Sequence, residues 1–220
     1  NFVLRKKLWR IKTKKKKLFN GRRVVNYILP QTEDMMEDVL ISDMANRIGI
    51  IAPSIRLVEL FVNDISQGVT YEVEHLDEIF LRSRNIMPVN LYKGEPDKNL
   101  PIGPGSNLFQ SPVLWKKLAI NNRYSEGDLS DLSRFFGLIR RASTSADAFE
   151  ELRRLAPFES WAKFAAFQII AQSWHNNFDH NQRLIVDDQS GKISPIFPQK
   201  GKQLCLLMPE ITLLRSHRPY

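Results

Sequence analysis

The 220-residue chain contains a single cysteine, Cys205, and only four histidines. One cysteine excludes an intrachain disulfide and any zinc-finger spacing, while leaving the compartment open. No apolar run approaches the ~20 residues that a membrane-crossing helix needs, and the first residues show no signal-peptide pattern. HExxH, GxSxG and Cys–His arrangements are missing, which leaves no support for a metallohydrolase or a serine or cysteine hydrolase. Nor is there an internal repeat, or a low-complexity segment beyond one lysine run. What remains is 43% hydrophobic and 10% aromatic. That is enough to form a core and to exclude global disorder. The length suits one large domain or two small lobes. The chain opens on Asn1 without a methionine, which reads as a fragment or a processed product.

The net charge of +8 is concentrated at the start, in RKKLWRIKTKKKK from Arg5 to Lys17. Such a block can neutralise phosphates on nucleotides, lipid headgroups or nucleic acid. It can equally be a solvated face. Leu8 to Lys12 alternates apolar and charged residues as a half-buried strand does. Asn20-Gly21 predicts a tight turn, with Val24 to Leu29 returning as a second strand up to Pro30. Met35, Val39, Leu40, Met44 and Ile48 fall at helical spacing before Gly49, and most of them are expected in the core.

A hairpin follows, with strands Ile55 to Asn63 and Val69 to Val73 and a turn through Asn63-Asp64 and Ser66-Gln67-Gly68. Glu74, His75 and Asp77 then open a short helix, Leu76 to Arg82. Pro88 to Gly105 is rich in Pro, Gly, Asn and Asp and reads as a connection, with a short strand at Val89 to Tyr92. Trp115 to Ile120, Leu129 to Leu138 and Ala146 to Leu155 are expected to be helical.

The most informative stretch is SWHNNFDHNQRLIVDDQSGKISPI, Ser173 to Ile196. An apolar helix, Trp161 to Gln172, runs into a polar knot of His175, Asn176, Asn177, Asp179, His180 and Asn181. A strand from Arg183 to Val186, a turn over Asp187 to Gly191 and a strand from Ile193 to Phe197 come next. An Asp followed closely by an Asn suits phosphoryl transfer, the Asp orienting a hydroxyl and the Asn oxygen assisting a magnesium ion. The plainer alternative is a capped, solvated loop.

Several stretches together resemble the CotH family of atypical, kinase-fold proteins named for a spore-coat protein kinase. From Trp9 to Lys93 these are WRIK, MANRIGIIAPSIRLVELFVND, QGVTYEVEHLDEIFLRSRN and NLYK, in that order; a second match runs from Phe158 to Ile196. The resemblance implies an α+β, two-lobed atypical protein-kinase-like fold. A small β-rich N-lobe would span residues 1–95 and a mostly helical C-lobe residues 96–220. It implies ATP- and Mg²⁺-dependent phosphorylation of serine on a protein substrate, such as a coat or surface protein, at a spore coat or cell envelope. Nucleic acid is not an expected partner.

By the same resemblance, Lys12 is the nucleotide-contacting lysine and Glu74 its ion-pair partner. Asp179 is the base or nucleophile-orienting acid, Asn181 a metal ligand, and His175 or His180 supports the loop. Lys6 and Lys14 are alternatives to Lys12, Asn177 is an alternative to Asp179, and Glu74 also reads as a plain helix-capping acid. One departure stands out. The family carries a metal-binding Asp in a Trp-Asp segment after the Gly-Lys hairpin, whereas here Pro195 to Gly201 reads PIFPQKG, with no acid until Glu210. Gln199 is uncharged where hard cations want carboxylate oxygens. Two further readings follow: a pseudokinase or scaffold module that keeps the fold without the chemistry, and a basic adaptor for anionic surfaces.

Overall fold

The structure, a computed structural model, describes residues 8–14, 17–30, 35–95, 107–119, 125–173, 176 and 178–198. It is an α+β fold with two four-stranded antiparallel sheets and, among the described residues, five α-helices. No helix there is long and apolar enough to cross a membrane.

The first sheet has the order β1-β2-β4-β3, built from β1 (Trp9–Lys12), β2 (Val24–Ile28), β3 (Ile55–Val62) and β4 (Ile65–Glu74). Its turns are as local as the sequence suggests. Asn20 and Gly21 both adopt positive φ, 48° and 73°, and the backbones of Phe19 and Arg22 bond reciprocally across them at 2.9 Å. That is the geometry that Asn-Gly favours. The second hairpin turns on Asn63 and Asp64 alone, at φ 51° and 62°. Ile65 therefore already pairs with Val62. Ser66 to Gly68, expected in the turn, belong to β4.

Helix α1 (Glu37–Arg47) lies between β2 and β3, and Gly49 follows it at φ 83°. Its apolar residues do not divide as periodicity predicts. Val39 packs on the core of the first sheet, but Met35, Leu40, Met44 and Ile48 are exposed. The inward face is carried by Ser42 and Ala45, small side chains that let the helix approach closely. The Ser42 hydroxyl donates to the Pro53 carbonyl at 2.5 Å.

Helix α2 (Glu78–Arg82), capped by Asp77, leads to the second sheet, of order β6-β5-β7-β8. The short strand expected at Val89 to Tyr92 is present as β5 (Val89–Gly94), which lies inside the sheet, whereas β6 (Trp115–Ala119) is a strand rather than the expected helix. Trp115 and Leu118 are three apart, as on a helix, yet Trp115 and Lys117 are the buried pair, which is the two-residue period of a strand. Pairing with β5 (Lys93↔Lys116, Gly94↔Trp115) decides the matter. β7 (Gln182–Asp187) and β8 (Ile193–Pro195) form the anticipated hairpin and complete the sheet.

Helices α3 (Ser130–Ala142), α4 (Ala146–Leu155) and α5 (Phe158–Ile170) supply the rest of the core. Tyr92, Trp115, Leu132, Phe135, Phe136 and Leu184 pack together as its largest cluster, each such side chain contributing about 1.5–3 kcal/mol. A second cluster joins the segment after α1 to α5 through Ala52, Phe164, Phe167 and Phe197. The Phe197 amide donates to the Ile51 carbonyl at 2.9 Å. The end of the β7–β8 hairpin is thus stitched to the segment that leads into β3, at the edge of the first sheet.

Candidate functional site

A cleft of about 590 Å³ separates the two sheets. The first sheet contributes Trp9, Arg10 and Asn26, with Glu74, His75 and Leu76 where β4 ends; the second contributes Lys93, Leu118 and Arg183, with Asn181 just before β7. This volume lies within the usual range for small-molecule sites.

Each wall is fixed from its own side. Arg10 Nε donates to Asn26 Oδ1 at 2.8 Å across the β1–β2 ladder, and Asn26 Nδ2 lies 3.4 Å from His75 Nδ1. Burial, aided by the Arg10 charge, holds His75 below the ordinary imidazole range against the opposing pull of Asp77. The cleft histidine is therefore neutral at pH 7.

Glu74 lines the cleft but is already committed. Arg84 Nη2 reaches its Oε2 at 2.7 Å and Nη1 its Oε1 at 3.1 Å, while the Ser54 amide donates to Oε2 at 3.0 Å. Burial alone would raise this carboxyl. The Arg84 and Ser54 hydrogen bonds outweigh it, so the group sits below its usual range.

On the opposite wall, Lys93 Nζ lies 3.2 Å from Glu95 Oε1, Arg183 Nη1 lies 3.9 Å from the same oxygen, and the Asn181 amide donates to Oε2 at 3.3 Å. Arg183 is 9% exposed; its Nη1 donates to the Gln182 carbonyl at 2.8 Å, and among the described residues its Nε has no hydrogen-bond partner. Burial lowers this guanidinium to about 10, with Glu95 pulling the other way. It remains a cation at neutral pH.

The polar loop is organised by Asn176, which is 1% exposed. Its carbonyl accepts from Gln168 Nε2 at 2.8 Å and from Gln182 Nε2, its side-chain amide donates to Ser173 Oγ at 3.2 Å, and its Oδ1 accepts from Asn181 Nδ2 at 3.4 Å. Beside it, His180 Nδ1 lies 2.5 Å from Asp179 Oδ1, both side chains partly exposed. The Phe178 carbonyl accepts the Leu108 amide at 2.8 Å, tying the loop to the segment before β6.

Of the residues expected at the site, Glu74 and Asn181 line one cleft, on opposite walls. Asp179 lies two residues from Asn181 but is not among the lining side chains, and neither is Lys12. Lys12 is exposed at the end of β1, opposite Val24, and the ion pair that Glu74 makes is with Arg84. His175, Asn177, Lys6, Gln199 and Glu210 lie outside the described residues. Sequence reasoning missed Arg10, Lys93 and Arg183. The signal for Arg183 was a cation heading the otherwise apolar Leu184 to Val186 strand; for Lys93 it was a lone cation directly after the Val89 to Tyr92 strand.

Among the described residues, no group of three or more His, Cys, Asp or Glu could hold a metal ion. The sequence model of the family described as CotH kinase protein matches residues 2–196. No curated protein matches the chain.

Proposed function

Because this chain belongs to the CotH kinase family, we propose that it is a two-lobed phosphotransferase that uses ATP and Mg²⁺ to phosphorylate serine on a protein. The observation that carries this reading is the charge of the cleft. Arg10, Lys93 and Arg183 line it, while the one lining carboxylate among the described residues, Glu74, is neutralised by Arg84. A cleft with surplus positive charge between two apolar-cored layers suits a polyphosphate attached to a flat, less polar group. Trp9, Leu76 and Leu118 offer apolar surface in the same space.

Bound ATP would supply the phosphoryl group, with Mg²⁺ neutralising its oxygens. The residues present fit the phosphates better than they fit a protein-only metal cage. Asn181 would offer its amide oxygen, consistent with the way Mg²⁺ rests on one or two protein ligands plus phosphate. Asp179, held by His180, would accept or orient the proton of the serine hydroxyl. Asn176 would keep Asp179 and Asn181 in register by fixing the loop between them and α5.

The test is thermal unfolding with and without millimolar ATP and Mg²⁺. A ligand that binds only the native state at a hundred times its Kd adds about 2.7 kcal/mol to stability. A rise in Tm together with transfer of labelled phosphate to a serine-rich protein is the expected result; an unchanged Tm overturns the reading. The pseudokinase alternative is favoured by one feature, the uncharged Gln199 where the family places an acid. If ~4 kcal/mol of transition-state stabilisation goes with that acid, turnover falls about a thousandfold. That alternative predicts the thermal shift without phosphate transfer.

A further inference from the structure

We infer that Arg183 and Lys93, on the second sheet, are the phosphate-binding cations of the cleft, and that Glu95 occupies their positive field as a built-in counter-ion which an incoming phosphate must outcompete. The inference rests on the nucleotide reading above and specifies which side chains do the binding.

Three donors converge on Glu95: the Lys93 ammonium at 3.2 Å, the Arg183 guanidinium at 3.9 Å and the Asn181 amide at 3.3 Å. One carboxylate is thus shared between two cations, and at 3.9 Å the second contact is too long for a hydrogen bond. Arg183 is the more telling partner. Its side chain is buried and lines the cleft, yet its Nε has no partner among the described residues. A buried donor without a partner destabilises the site, and more so when it is charged. A phosphoryl group presents several oxygens in the spacing that an arginine fork accepts, and can use Nε together with a terminal nitrogen.

The lysine of the first strand has no comparable setting. Lys12 is exposed and is not among the described residues that line the cleft. Glu95 is itself partly exposed, so its carboxylate can turn toward water when an anion replaces it. The phosphate site therefore belongs to the same strand pair, β5 and β7, that carries Asn181 at its end. A ligand phosphate and the loop carboxamide are then positioned by one rigid ladder.

The experiment measures binding to the intact chain by calorimetry and thermal shift, using ATP with Mg²⁺, inorganic tripolyphosphate and adenosine as separate probes. Arg183→Met is expected to weaken ATP and tripolyphosphate about tenfold or more, the scale of a lost charged hydrogen bond, while adenosine is unaffected. Lys93→Ala should act in the same direction. Glu95→Gln, which removes the competitor and keeps the shape, should tighten both phosphate probes several-fold, an effect that no merely structural role produces. Lys12→Ala should change nothing.

Loss of ATP binding in Lys12→Ala, or ATP binding unaltered in both Arg183→Met and Glu95→Gln, overturns the inference and leaves the nucleotide reading standing. Wild-type binding of tripolyphosphate but not ATP, abolished in Lys93→Ala, upholds the cation assignment while removing the nucleotide. Should Arg183→Met fail to fold, Arg183→Lys and Glu95→Gln carry the test. Weakened binding in the first and tightened binding in the second support the assignment, and no change in either overturns it.

Discussion

Arg84 grips Glu74 with both prongs of its guanidinium, 2.7 Å to one carboxylate oxygen and 3.1 Å to the other, and its guanidinium carbon lies 3.9 Å over the centre of the Phe80 ring. The second terminal nitrogen also donates to the Ala52 carbonyl at 3.0 Å. A carboxylate that stands at the cleft is thereby joined to α2 and to the segment preceding β3. Its ionisation is a structural matter as well as an electrostatic one.

Removing either partner leaves the other's charge without its counter-ion in a largely buried setting. Arg84→Met is expected to destabilise the fold by about 3 kcal/mol, since breaking one side of a buried pair costs far more than the pair contributes. The double variant Arg84→Met with Glu74→Leu should recover a large part of that loss. Urea titration of the two single variants and the double closes the cycle. Strict additivity would mean that the pair is not coupled.

The same pair sets an acid limit. Glu74 has a folded-state pKa below its ordinary value of about 4.3. Its contribution is therefore complete above that value and is lost as pH falls through the lower folded-state pKa. Stability should be insensitive to this group from pH 5 to 8 and should decline below about pH 4, less steeply in Glu74→Gln. Chemical denaturation at a series of pH values measures the difference between the two curves.

Gly94 ends β5 with the Trp115 ring close by: a Cβ built there would stand 3.0 Å from three ring atoms. Trp115 cannot easily withdraw, because its indole N–H donates to the Leu108 carbonyl at 2.9 Å and its ring packs on Phe109 and Phe136. Gly94→Ala should cost about 1–3 kcal/mol, the usual penalty of overpacking. A melting temperature equal to that of the wild type would show that the ring yields.

Asp179→Asn is expected to lower phosphate transfer by about a hundredfold or more, the range of a lost general base. Its Tm should stay near that of the wild type, because ion pairs between partly exposed groups such as Asp179 and His180 contribute little to stability. Labelled-phosphate transfer and thermal melts on the same preparation separate the two effects. Full activity in this variant would assign the proton to another group.

Much of this molecule is legible one element at a time. Asn20-Gly21 and Asn63-Asp64 specify their turns because two neighbouring residues tolerate positive φ. Ser145, accepting from the Ala148 amide at 3.2 Å, starts α4 within one turn of its own position. Helix α1 shows where such reading stops. The spacing of Met35, Val39, Leu40, Met44 and Ile48 reveals that a helix exists, but not which stripe faces inward, because Ser42 and Ala45 gain their place by fitting closely rather than by being apolar.

The sequence by itself determined the hairpins and the family, since each rests on residues a few positions apart or on the order of short motifs. Only the tertiary structure decided that Trp115–Ala119 is a strand, that Glu74 pairs with Arg84, and that Arg183, Lys93 and Asn181 meet at Glu95. A backbone hydrogen bond from residue 181 to the side chain of residue 95 leaves no periodic trace in the chain. Charges find their partners according to which strands lie side by side, and that is fixed by the burial of Tyr92, Leu184 and their neighbours rather than by the charges themselves.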